Sequence, residues 1–346
     1  YYAESIGTIT QDMQDVKPQI MSTVPRLLEK IYDRIMTKGR KLTGIKRIIF
    51  FWAINLGLKY NFEGNGWFYN IQLKIADKLV FKKWREVMGN RMRVMVSGGA
   101  ALQERLARSF WAAGIPVLEG YGLTETSPVI AVNHFEKGGL KFGTVGPPVK
   151  GVEVKIDEDG EILVKGPIVM SGYYKDKERT EDTIDKEGWF HTGDIGRLEP
   201  EGQLKITGRK KSIFKTSFGK YISPEHIENK LKESPFIDTA LVIGENQKFA
   251  AALIIPSFEH IRNWCRVKEF PCEGDKEMIN KPEVKKRIQR EVDFYNTQLG
   301  DTEKIKRIRI LDHEWSVESG ELTASMKLKR DFICSKYKDT INKIFV

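Results

Sequence analysis

Three short segments combine glycines with side chains able to meet phosphate and sugar oxygens. Around YGLTET, residues 121–126, Gly120 and Gly122 leave room for a backbone to approach a ligand closely. Thr124 adds a hydroxyl and Glu125 a carboxylate, a pair suited to phosphate oxygens and Mg²⁺. In GWFHTGDIG, 188–196, Asp194 stands between Gly193 and the predicted strand IGRLE. A carboxylate fixed there by a tight turn can accept from two vicinal hydroxyls, as dinucleotide-binding folds hold ribose. The third segment, GRKKSIFKTSFGKYISPEHIE at 208–228, is a cationic, glycine-punctuated loop feeding a helix. Each also has a plainer reading: a strand-to-loop exit, a capping or Asx-turn aspartate, and a charged surface hairpin.

The elements that must position these residues follow from local pattern. QIMSTV reads as a short strand, and Pro25 opens a helix at a position where its missing N–H costs nothing. Residues 40–90 are helical in period, aromatic and basic. MRVMVSGGAALQERLARSFWAAGIPVLEGYGLTET then reads strand, glycine turn, helix, strand, loop. That is a βαβ unit of a parallel sheet, where ligands sit at the carboxyl ends of strands. Beyond residue 140 come hairpins, VEVKI-DEDG-EILVK and IGRLE-PEGQ-LKITG, predicting a small antiparallel barrel or sandwich. Past GRKKS the pattern is α+β, with Ser223 as the predicted cap of a helix, strands at 239–243 and 250–255, a basic helix over 282–299, the strand KIKRIRIL and a final helix after Ser325. The boundary is predicted near 209–212.

Composition narrows the function. With 346 residues, 40% apolar and 30% charged, the chain is globular, and at ~150 residues per domain it holds about two or three units. A net charge of +10 attracts anions: nucleic acid, an acidic membrane surface or phosphorylated small molecules. An evenly solvated surface accounts for the charge better than a dedicated nucleic-acid face, since no nucleic-acid-binding motif accompanies it, so no nucleic acid partner is expected. GxxxxGK[ST], HExxH and GxSxG are missing, and the five histidines lack metal-ligand spacing. Cys265, Cys272 and Cys334 make neither an even disulfide set nor a CxxC pair, which points to a reducing compartment. The longest apolar run, IIFFWAINLGL at 48–58, falls short of the ~20 residues of a membrane span. The expectation is a cytoplasmic location, at or near the inner membrane surface, where each basic residue near anionic lipid contributes ~1 kcal/mol.

In this order, and together with SGGAAL at 97–102 and GEILVKGPIVMSGYY at 160–174, the three segments resemble the adenylate-forming superfamily of acyl-CoA synthetases, luciferases and peptide-synthetase adenylation domains. KTSFGKYISPEHIE, ELTASMKLKR and the opening YYAESIGTITQDMQDVKPQIMSTVPRLLEKIYDRI are similar to the long-chain fatty acid CoA ligase branch. The resemblance implies an α/β fold: part of a parallel-sheet αβα subdomain with the acyl-adenylate pocket over 1–139, a β-barrel subdomain over 140–208, and a mobile α+β domain over 209–346. It implies ATP, Mg²⁺, coenzyme A and a fatty acid as cofactor and substrates. Thr124 and Glu125 match residues that meet ATP phosphates and Mg²⁺. Gly98, Gly99, Ala100, Glu119, Gly120, Tyr121 and Gly122 match the adenine and acyl-adenylate pocket, Asp194 the ribose-binding Asp, and Arg209 its partner. Lys211 matches the hinge, and Gly219 with Lys220 the loop that serves the thioester step. Ser325 stands where most members have the lysine assisting adenylation; Lys327 is taken as the candidate for that part, with Lys329 as the alternative. The family's phosphate loop does not occur in the sequence, which starts YYAES without Met, so the chain is expected to be the C-terminal three-fifths of such an enzyme. The alternatives this leaves are a noncatalytic adenylate- or CoA-binding fragment, and activation of another acid or transfer onto a carrier protein.

Overall fold

The structure, a computed structural model, describes residues 1–3, 8–270, 274–323 and 326–346. It divides into two compact units, 1–206 and 207–346.

The first unit is built on a sheet in the order β1 (Ile20–Thr23), β2 (Val94–Ser97), β3 (Val117–Gly122) and β4 (Val129–Val132). The first three strands are parallel and β4 runs antiparallel to β3. Parallel neighbours need crossovers, and the chain supplies them as helices. Pro25–Arg40, Gly44–Leu58 and Gly66–Ala76 lie between β1 and β2, and Glu104–Ala112 between β2 and β3. Their apolar stripes close one core: Leu27, Leu28 and Ile31 from the first, Ala53 and Ile54 from the second, Leu106 and Phe110 from the last. Pro25 sits at the first helical position, as read from sequence.

A second, curled antiparallel sheet follows: β5 (Glu153–Ile156), β6 (Glu161–Lys165), β7 (Phe190–Leu198) and β8 (Leu204–Arg209). It is an open half-barrel with β5 and β8 at its edges, where the hairpin pattern predicts a barrel or sandwich. Strand β7 alternates with period two, so Phe190, Thr192 and Asp194 fall on its buried side.

The second unit has its own core. After a short hairpin, β9 (Phe214–Lys215) and β10 (Tyr221–Ile222), comes the sheet β11 (Ile237–Ile243), β12 (Ala250–Pro256) and β13 (Ile305–Ile310), with β12 in the middle. Every residue of β12 is buried, as expected of a strand covered on both faces. Helix Pro224–Leu231 contributes Ile227 and Leu231 to this core, and helix Pro282–Asn296 contributes Val284, Ile288 and Val292. Ser223 is at the predicted cap position but does not cap: its hydroxyl donates to the Thr207 carbonyl at 2.9 Å. The closing helix is two helices, Arg330–Lys336 and Lys338–Phe345. Among the described residues no helix is long and apolar enough to cross a membrane.

Candidate functional site

The predicted pocket residues of the first unit gather at the carboxyl ends of β2 and β3. Register pairs Ser97 with Glu119, so Gly98 and Gly120 leave adjacent strands side by side. A Cβ on Gly98 would lie 3.6 Å from the Gly120 carbonyl oxygen. Gly99, at φ +82°, and Ala100 are exposed. Gly122 has a different use from the one its sequence suggests. A Cβ there would meet the Pro128 carbonyl oxygen at 1.6 Å, so the missing side chain lets β3 fold back onto β4.

Thr124 and Glu125 sit on a single 3₁₀ turn, Thr124–Thr126. Thr126, which the sequence reading passed over, fixes that turn: fully buried, its hydroxyl accepts from Leu123 N–H at 3.0 Å and donates to the Pro128 carbonyl at 2.9 Å. Thr124 is thereby left exposed. Glu125 is tied to the 160–174 segment twice. Its carbonyl accepts from Met170 N–H at 2.8 Å, and its Oε1 accepts from the Tyr173 hydroxyl at 3.0 Å. Its other carboxylate oxygen takes no hydrogen bond among the described residues. Those residues contain no cluster of three or more His, Cys, Asp or Glu able to cage a metal. A single half-exposed carboxylate of this kind fits Mg²⁺ shared with substrate phosphates, since that ion keeps waters and takes one or two protein carboxylates.

Asp194 is 7% exposed and accepts from the Tyr121 hydroxyl at 2.8 Å, which joins β3 to β7. The Asx turn that offers a plainer reading of Asp194 belongs to Asp185. Its Oδ1 accepts from both Glu187 N–H and Trp189 N–H at 2.9 Å, and these bonds, Trp189's first, hold its pKa below the usual aspartate value. Asp194 lies within β7, beside Gly193 at φ +71°, a left-handed backbone that favours glycine.

Glu161 holds this kink in place. It is 4% exposed; Oε1 accepts from Gly193 N–H at 2.8 Å and Oε2 lies 3.3 Å from His191 Nδ1. Thr192 completes the support, donating to the Ile162 carbonyl at 2.8 Å and accepting from Asp194 N–H at 3.1 Å. Glu161 was missed because its partner lies 32 residues away; the one signal is an acid opening the strand EILVK, ahead of three apolar residues.

Glu119, in the middle of β3, is buried and has no ion-pair partner among the described residues. Burial pushes its pKa from 4.5 to about 8, and a hydrogen bond from the Leu102 backbone only partly offsets this. The carboxyl is therefore mostly protonated at neutral pH.

The remaining predicted residues belong to the second unit. Arg209 ends β8 and is exposed, its carbonyl accepting from Ile213 N–H at 3.1 Å. Lys211 is exposed on the 3₁₀ turn Lys210–Ser212. Gly219 (φ +77°) and Lys220 form the exposed turn between β9 and β10; Gly219 N–H donates to the Thr216 carbonyl at 2.9 Å and Lys220 N–H to the Thr216 hydroxyl at 3.2 Å. Lys327 is exposed on a hairpin closed by Thr323 N–H to the Lys327 carbonyl at 2.8 Å, while Ser325 lies outside the described residues. At the base of that hairpin Glu321 is fully buried. Burial alone would raise its pKa, but hydrogen bonds from Lys336, Ser319 and Tyr337 hold it at about 2.

Residues 3–174 match the AMP-binding enzyme family and 211–346 the AMP-binding enzyme C-terminal domain. The chain is 35% identical over 337 residues to a long-chain-fatty-acid–CoA ligase of Mycobacterium bovis, covering 95% of this chain and 55% of the relative. It is 33% identical over 363 residues to the peroxisomal long chain acyl-CoA synthetase 7 of Arabidopsis thaliana, covering 100% of this chain and 51% of the relative. In fold it is similar to the adenylation domain of a carboxylic acid reductase from Segniliparus rugosus, solved with AMP and a co-purified carboxylic acid, with a TM-score of 0.72 at 18% identity, covering 100% of this chain and 50% of that one. The chain belongs to the AMP-binding enzyme family. It spans about half the length of these relatives.

Two outcomes follow. Glu161→Ala leaves Gly193 N–H unmet inside β7 and should cost about 1–3 kcal/mol in urea denaturation; an unchanged midpoint would show that the clamp carries no load. Glu119 binds its proton more tightly folded than unfolded, so stability should fall as pH rises from about 4.5 to about 8 and level off above. Glu119→Gln should flatten that slope in denaturation curves taken across this range.

Proposed function

We propose that this chain is the pocket-bearing part of a long-chain fatty acid CoA ligase. The observation that carries the reading is the joining of two family segments by one hydrogen bond, Tyr121 to Asp194, in a chain similar along its whole length to long-chain ligases.

The reaction runs in two halves. A fatty carboxylate attacks the α-phosphate of ATP, giving acyl-adenylate and releasing pyrophosphate. The thiol of coenzyme A then attacks the acyl carbon and AMP leaves. Transfer at phosphorus asks a protein for positioning and charge neutralisation more than for covalent help. Asp194, held by Tyr121 and by the Glu161 clamp, positions the ribose through its hydroxyls. Gly98, Gly99 and Ala100, opposite Glu119 and Gly120, form a floor for the adenine and the acyl group. Thr124 donates to phosphate oxygens. Mg²⁺, when bound, neutralises phosphate charge, and Glu125 is the residue that would hold it. For the remaining steps we assign Arg209 to the ribose, Lys211 to the hinge, Gly219 and Lys220 to coenzyme A, and Lys327 to the phosphate, as the family resemblance implies.

The acid is assigned as a long fatty chain because the relatives named for such acids match along the chain, and each buried CH₂ adds ~0.8 kcal/mol to binding. The test is release of AMP by the complete enzyme that carries this chain, with MgATP, coenzyme A and either palmitate, benzoate or malonate. Palmitate should support release, and Glu125→Ala should lower it by about 100-fold or more, the usual effect of losing one charge-stabilising group. Benzoate or malonate outperforming palmitate would overturn the substrate class.

A further inference from the structure

Lys327 and Lys329 stand on a hairpin whose two arms are both fixed to the core of the second unit. Leu322 pairs antiparallel with Leu328 at its base. Around that pair, Lys329 N–H donates to the Glu321 carbonyl and Thr323 N–H to the Lys327 carbonyl, each at 2.8 Å. The Thr323 hydroxyl also accepts from Lys327 N–H at 3.0 Å. Leu322 is buried and Leu328 packs against the same core. Lys327 and Lys329, one step either side of Leu328, therefore share the opposite face, and both are exposed.

Two buried acids set the direction of the arms. The second arm runs into Arg330, which pairs with Glu228. On the first arm, Glu321 is fully buried. Its Oε1 accepts from Lys336 Nζ at 2.7 Å and from the Tyr337 hydroxyl at 3.1 Å, and its Oε2 accepts from the Ser319 hydroxyl. Lys336 and Tyr337 stand at the junction of the two closing helices, so one carboxylate ties the hairpin to both. Against the effect of burial, these bonds keep the Glu321 pKa at about 2, so the tie is intact at any pH near neutrality. The carboxylate is committed to Lys336, whereas Lys327 and Lys329 have no ion-pair partner among the described residues. A buried ion pair stabilises a fold no more than well-packed apolar side chains of similar volume. What it adds here is a fixed direction for the chain that leaves it. We propose that Glu321 is a positioning residue for adenylation, which sets where the Lys327 side chain ends by tying the hairpin base to Lys336 and Tyr337. This deepens the ligase reading and rests on the assignment of Lys327 to the phosphate.

The test takes the two half-reactions of the complete enzyme apart. Pyrophosphate exchange into ATP with palmitate reads the first, and coenzyme A-dependent consumption of supplied palmitoyl-adenylate reads the second. Glu321→Ala should lower kcat for exchange about 10- to 100-fold, the effect of misplacing a group by ~1 Å, and leave the second half within about twofold. Glu321→Gln keeps the shape and an acceptor for Lys336, and should recover most of the exchange. Tyr337→Phe removes one donor and should show the same split at smaller size, which decides the matter if Glu321→Ala does not fold. Because Glu321 acts through Lys327, adding Glu321→Ala to Lys327→Ala should lower exchange no further than Lys327→Ala alone. The proposal is overturned by equal loss in both half-reactions, by additive loss in the double variant, or by unchanged exchange in folded Glu321→Ala. Exchange left intact by Lys327→Ala would overturn the Lys327 assignment and this proposal with it. The ligase reading stands or falls separately, on AMP release by the wild-type enzyme.

Discussion

A carboxylate taken out of water must be met by a donor or keep its proton, and this requirement organises the first unit. Three acidic side chains are buried where its two sheets carry the family segments, and each is satisfied differently. Glu161 is met by Gly193 N–H and the His191 ring. Asp194 is met by the Tyr121 hydroxyl. Glu119 has only a backbone hydrogen bond and is pushed to about 8. Because leaving any of them charged and unmet would cost several kcal/mol, the backbone around each is held to one arrangement. The same constraint that stabilises the fold therefore aligns the groups assigned to ribose and phosphate.

Much of this was legible in the sequence where the cause is local. Pro25 and the two hairpins announce themselves through missing donors, turn residues and period-two alternation, and the βαβ unit through its glycine turns. What escaped depends on partners distant in the chain. Ser223 has the residue type of a cap, yet its hydroxyl is taken by Thr207, sixteen residues away. Asp185 and Asp194 both follow the pattern of an acid beside a glycine turn, and only the fold tells the Asx turn from the buried carboxylate. Gly122 reads as an opening for a ligand, but the Pro128 carbonyl fills that space. Composition marked 40–90 as helical, aromatic and basic without telling which aromatic side chains pack and which face outward.

The second unit meets its buried acids with basic partners, although burial, only partly offset by Arg330, raises the Glu228 pKa. Glu228, buried, accepts from Val242 N–H at 2.7 Å and pairs with Arg330, which ties helix Pro224–Leu231 to β11 and to the helix following the Lys327 hairpin. Glu321, met by three donors, anchors the base of that hairpin. The exposed Lys327, assigned to the phosphate, thus lies between two buried acids, Glu321 and the Glu228 that holds Arg330, that are both paired.

The measurement that bears most directly on this account is calorimetric titration of the chain with a nonhydrolysable long-chain acyl-adenylate analogue, beside an Asp194→Ala control. Saturable binding is predicted, weakened about 10- to 100-fold in the control, the loss expected of a charged hydrogen bond of about 1.5–3 kcal/mol. Binding that is equal in the two proteins, or missing from both, would contradict the central claim that Asp194, placed by Tyr121 and Glu161, holds the adenylate.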